Sequence, residues 1–123
     1  MIPLESRHPV RVLVVDDSAL MRRTFCRLLE EEPGLEVVGI ARDGLEAVEK
    51  ARDLRPDVVL LDIALPDREG LRTLVALRGL YHNLLIVMFS QLTKRGSQFT
   101  LDSLELGASG YVTKPTSNTE LRC

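Results

Sequence analysis

Four apolar runs in this chain are continuous rather than alternating: Val-Leu-Val-Val at 12–15, Val-Val-Leu-Leu at 58–61, Leu-Leu-Ile-Val-Met-Phe at 84–89 and the shorter Tyr-Val-Thr at 111–113. A strand with one face in water alternates apolar and polar residues, whereas a strand covered on both faces reads as an unbroken, β-branched run. The segments between these runs have helical spacing. Residues 18–32 carry Leu20, Met21, Phe25, Leu28 and Leu29 on one stripe and stop at Pro33-Gly34. Residues 45–54 place Leu45, Val48, Ala51 and Leu54 together, and Pro56 closes that stretch. Further helices are predicted over 71–77, ended by Gly79, and over 97–106, with a remaining strand over 35–41.

Strict β/α alternation with short connections demands right-handed crossovers and helices on both faces of a parallel sheet. The expected fold class is therefore α/β, a doubly wound five-stranded sheet of flavodoxin-like order 2-1-3-4-5. A fifth covering helix is expected to be truncated or absent, since only residues 116–123 follow the last strand and its Lys-Pro. Apolar surface beside strands one and five would then await a partner or a second copy of the chain.

The 123 residues, 45% of them hydrophobic, suffice for one domain. Residues 1–9 read as a leader and 10–123 as the domain. A net charge of −2 with acids interspersed among the bases leaves no basic stripe for nucleic acid. The longest apolar stretch is too short to span a bilayer. Cys26 and Cys123 are far apart in sequence, which favours reduced thiols and a cytoplasmic setting.

The polar residues at the carboxyl ends of the strands carry the chemistry. Asp16 and Asp17 end the first, Asp62 the third, Ser90 the fourth and Lys114 the fifth. In open α/β sheets those ends converge on one crevice, the usual ligand site. Gathered carboxylates repel by roughly 4 kcal/mol per pair about 4 Å apart at an effective dielectric near 20. Either one of them holds a proton or a hard divalent cation sits among the oxygens. Magnesium suits few carboxylates, retained water and phosphate oxygens better than calcium does. Each residue alone has a plainer reading: Asp17 or Ser18 as a helix N-cap, Lys114 as a solvated cation, Tyr111 as a core aromatic. Their conjunction at four strand ends is what points to phosphoryl chemistry.

These motifs resemble those of response-regulator receiver domains, the phosphorylatable aspartate modules of two-component signalling. The resemblance rests on Val-Leu-Val-Val-Asp16-Asp17-Ser18, Pro-Asp-Val-Val-Leu-Leu-Asp62 followed by Leu65-Pro66 and Gly70, and Leu-Gly107-Ala before Tyr111-Val-Thr-Lys114-Pro115. Within the family, Asp-Asp-Ser-Ala-Leu-Met-Arg, Ala-Arg-Asp-Gly-Leu-Glu-Ala-Val-Glu-Lys and Ser90-Gln-Leu-Thr-Lys-Arg-Gly are similar to the receiver of chemotaxis protein-glutamate methylesterases. The resemblance implies that Asp62 accepts a phosphoryl group from a sensor histidine kinase. It further implies that Asp17, Asp62 and the Ala64 main-chain carbonyl hold Mg2+, with Asp16 acting largely through water. Lys114 and Ser90 would contact phosphoryl oxygens, Ser90 and Tyr111 would form the switch toward an output domain or partner, and the Lys114-Pro115 bond would be cis.

Some residues depart from the family pattern. Gln91 stands where a small residue is usual, a change expected to affect the lifetime of the acyl phosphate. Leu65 and Glu69 replace the commoner Met and Asp, and Ala64 offers no polar side chain. Gly107-Ala-Ser109-Gly110 is not a Gly-x-Ser-x-Gly elbow, and His82 falls at the amino end of its strand, so no esterase site is expected in these residues. A dehalogenase-type phosphotransferase would need an acid two positions after Asp16, where Ser18 stands. A degenerate, phosphorylation-independent receiver is the alternative, disfavoured by retention of Asp16, Asp17, Asp62, Ser90 and Lys114.

Overall fold

A computed structural model describes residues 8–66, 69–90 and 102–113. Its elements run β1 (Val10–Val15), α1 (Ala19–Glu30), β2 (Leu35–Ala41), α2 (Gly44–Leu54), β3 (Val58–Asp62), α3 (Glu69–Leu80), β4 (Leu85–Ser90) and β5 (Gly110–Thr113). Residues 102–105 are helical as well, within the helix expected over 97–106. The five strands are parallel and ordered β2-β1-β3-β4-β5, as the alternation of the sequence requires.

The chain leaves β1 toward β2 on one side and then crosses back to β3 on the other. The direction of winding therefore reverses between β1 and β3. Neighbouring connections depart in opposite directions at that point and leave a crevice beyond the strand ends.

The continuous runs are continuous because both faces are covered. Leu13, Val15, Val59, Leu61, Ile86 and Met88 join Ala47, Ala51, Leu74 and Leu77 of α2 and α3. Val12, Val14, Leu60 and Phe89 point the other way and pack with Phe25 of α1. The Phe25 and Phe89 rings lie 4.6 Å apart at a 50° tilt, a geometry contributing about 1 kcal/mol beyond area burial.

Helix ends follow local chemistry. Ser18 caps α1 by accepting from the Met21 N–H, and Asp43 caps α2 by accepting from the Glu46 N–H. Helix α2 stops at Arg55, whose left-handed backbone (φ 48°) lets it end one residue before Pro56. Its carbonyl accepts from the Arg11 guanidinium at 2.9 Å.

Helix α3 differs from expectation at both ends. It begins at Glu69 rather than 71 and runs through Gly79 to Leu80. Gly70 is helical because that position lies against backbone: a Cβ there would overlap the Asp62 carbonyl. Gly79 does not end the helix, because Arg78 takes up the carbonyls beyond it. Its guanidinium donates to Tyr81 O, His82 O and Leu84 O at 2.7–3.2 Å. Residues 1–7 of the leader expected over 1–9, and the stretch 114–123 where a truncated last helix is expected, lie outside the described residues.

Candidate phosphoacceptor site

Register places the acids. Val15 pairs with Leu61, so Asp16 and Asp62 follow side by side at the carboxyl ends of adjacent strands, at the topological switch point. Asp16 is fully buried and Asp62 is 1% exposed, while Asp17 faces solvent. One carboxylate oxygen from each of the three lies within 4.8 Å of the others.

Each buried acid is aimed by main chain. Asp16 Oδ1 accepts the Ser18 N–H at 2.9 Å, which turns the chain into α1. Asp62 Oδ1 accepts the Ala64 N–H, also at 2.9 Å, a short Asx-type turn that brings the exposed Ala64 back over the strand end. The Asp16 carbonyl accepts the Arg22 guanidinium at 2.7 Å from the second turn of α1. Arg22 went unnoticed in the sequence, where it reads as an ordinary helix-surface cation. Its spacing of six from Asp16 matches no local capping pattern.

Ser90 stands at the carboxyl end of the next strand. Asp62 pairs with Phe89, and Ser90 is the next residue on β4, buried to 8% exposure. Thr113 stands opposite it on β5, so the chain leaves β5 beside Ser90. Tyr111 pairs with Met88 lower on the same strands and is 55% exposed. Lys114, Pro115 and Gln91 lie outside the described residues, and with them the amine, the cis bond and the bulky neighbour of Ser90.

The three-acid cluster is all oxygen and contains no histidine or thiol, which is the donor chemistry of a hard dication. Two buried carboxylates at that separation repel by roughly 3 kcal/mol at an effective dielectric near 20. Magnesium fits, with Asp16, Asp17 and Asp62 as the residues that would hold it. Cys26 is no part of this chemistry. Burial pushes its thiol pKa up, Glu30 adds to the rise and Arg22 opposes it.

The sequence profile of the response regulator receiver domain matches residues 12–123. The chain belongs to the response regulator receiver family. This receiver domain is 46% identical over 113 residues to protein-glutamate methylesterase/protein-glutamine glutaminase 2 of Carboxydothermus hydrogenoformans, covering 92% of this chain and 32% of that one. It is 44% identical over 112 residues to the Bacillus subtilis protein-glutamate methylesterase/protein-glutamine glutaminase, covering 91% and 31%. The receiver thus spans about a third of the length of these relatives. Among solved structures, the response regulator domain of Thermotoga maritima CheB superposes with a TM-score of 0.80 at 42% identity, covering 94% of this chain and 87% of that one. A CheX-CheY-BeF3-Mg2+ complex from Borrelia burgdorferi gives 0.81 at 30% identity, covering 98% and 90%. The five-stranded fold and the two-component class expected from the sequence are both borne out.

Proposed function

We propose that this receiver accepts a phosphoryl group on Asp62 from a sensor histidine kinase and controls an output domain or partner, in chemotaxis adaptation of the methylesterase type. The observation that carries this reading is the meeting of buried Asp62 with Asp16 and Asp17 at the switch point of the sheet. Its similarity to protein-glutamate methylesterases and to the CheB receiver supports the chemotaxis assignment.

Asp62 acts as the nucleophile. A carboxylate oxygen attacks phosphorus in line as the bond to the kinase histidine nitrogen breaks, and that nitrogen retains the electron pair. The Ala64 N–H donates to Asp62 Oδ1 at 2.9 Å, and it would lie beside the oxygens that gain charge during transfer. Bound Mg2+ supplies the charge that neutralises the phosphoryl oxygens. Asp17, Asp62 and the Ala64 carbonyl would hold it, with Asp16 acting largely through water, and Lys114 would offer its charge to another phosphoryl oxygen. Ser90 donates its hydroxyl to the new dianion and Tyr111 follows it inward, a population shift between two packings of the β4–β5 edge.

Near that edge Leu104, Leu106, Tyr111 and Val112 are each 41–55% exposed, apolar surface open to the output domain or to a second copy of the chain. No helix among the described residues is long and apolar enough to cross a membrane.

The direct test is incubation with a small acyl phosphate and Mg2+, scored by intact mass. The parent should gain one phosphate, and Asp62→Asn should gain none. An adduct that persists in Asp62→Asn would overturn the acceptor assignment.

A further inference from the structure

The segment that carries Asp62 and Ala64 is fastened to the rest of the molecule by a residue outside the acid cluster. Glu69 opens α3 and is half-buried. Its Oε1 accepts the N–H of Gly44 at 2.8 Å. Gly44 is the first residue of α2, so its N–H is one of the donors a helix start leaves without an intrahelical partner. Asp43, the cap of that helix, serves the Glu46 N–H instead. The first turn of α2 is therefore satisfied partly by its own cap and partly by a carboxylate from α3, and negative charge is favourable there.

The contact leaves no slack. A Cβ on Gly44 would overlap Thr73 Oγ1 and come within 2.9 Å of Glu69 Oε1, so the two helices meet at a distance that only glycine permits. On the other side of Glu69, a Cβ on Gly70 would overlap the Asp62 carbonyl and stand 2.8 Å from that of Ile63. The first turn of α3 is thus held against α2 while it bears on the backbone that presents Asp62 and Ala64.

We infer that Glu69 is a positioning residue for metal binding and phosphoryl acceptance: its bond to the first N–H of α2 holds α3 against the Asp62–Ala64 backbone. This rests on the proposed function. The effect is reciprocal, since a clamp that favours the metal-bound geometry is itself favoured by metal. Glu69 touches neither metal nor phosphorus in this scheme, and its carboxylate is occupied by a neutral N–H.

Glu69→Ala removes the acceptor, whereas Glu69→Gln keeps an amide oxygen at the same reach. By calorimetric titration, Glu69→Ala should raise the Mg2+ Kd about tenfold, the low end of what loss of a group supporting metal ligands costs. Phosphorylation by acetyl phosphate should slow in parallel, with Glu69→Gln close to the parent in both. Hydrogen exchange at the Gly44 amide should slow on adding Mg2+ in the parent and in Glu69→Gln but not in Glu69→Ala, a response that loss of stability alone would not produce. If Glu69→Ala does not fold, Glu69→Asp keeps the charge, loses the reach and takes its place. Parental Mg2+ affinity and rate in the shortened variant, or a Glu69→Gln protein as impaired as Glu69→Ala, would overturn the inference. These outcomes concern the clamp alone; the acceptor assignment stands or falls with the Asp62→Asn adduct.

Discussion

Asp16 does two jobs at once, and they can be separated. One oxygen accepts the Ser18 N–H that turns β1 into α1, while the charge adds to the repulsion around Asp62. Asn at this position keeps an oxygen for Ser18 and removes the charge. Asp16→Asn should therefore stabilise the metal-free protein by about 1 kcal/mol, since relief of repulsion is partly offset by a weaker, uncharged hydrogen bond. Thermal melts should show a rise of about 4 °C without Mg2+ and a much smaller gain on adding it. A lower metal-free melting point would mean that Asp16 contributes chiefly through its hydrogen bond.

At the scale of elements, the strands were legible and the helix ends less so, for a physical reason. Strand boundaries follow runs of buried apolar residues, which a single sequence displays directly; β2 lies where expected over 35–41. Helix α3 was misread because Gly70 and Gly79 look like breakers. The first is tolerated because of how closely the helix meets the Asp62 carbonyl, and the second because Arg78 satisfies carbonyls beyond the helix end. Neither partner is local to the glycine in a way that composition reveals. The acids of the site were legible because strand-end position is a sequence property, whereas the 25-residue separation of Gly44 and Glu69 carries no local signal. Arg78 also donates to the Gly107 carbonyl at 3.0 Å and to Ser109 Oγ at 3.3 Å, joining the end of α3 to the turn before β5. Gly107 has φ 110° there, and a side chain would meet Arg78 Cγ at 3.1 Å. Arg78→Ala should cost about 2–3 kcal/mol in urea unfolding, because several carbonyls lose a charged donor together. Arg78→Lys should recover only part of that, as an ammonium cannot span the same fork. Equal stability of Arg78→Ala and the parent would show that water replaces the guanidinium without cost.

For the molecule as a whole, the site follows from topology. Reversal of winding between β1 and β3 puts Asp16 and Asp62 on adjacent strands, and the parallel ladder sets them level. A fold that gathers like charges in a buried crevice is less stable than it would be without them, until a ligand of opposite charge arrives. Because the cluster exists only when β1 and β3 are paired, Mg2+ held there would favour the native state over the unfolded chain. Stability should then rise as RT ln(1 + [Mg2+]/Kd), about 2.7 kcal/mol at a hundred times Kd. For a domain of this size that amounts to roughly 10 °C in Tm. Sodium chloride at matched ionic strength should give far less, since Asp16 and Asp62 are buried and bulk ions screen them poorly. Thermal scans across a Mg2+ series beside a salt control decide the matter. A logarithmic rise specific to the dication places it among the acids, whereas equal shifts from both salts would make the effect one of surface screening and remove the metal from the site.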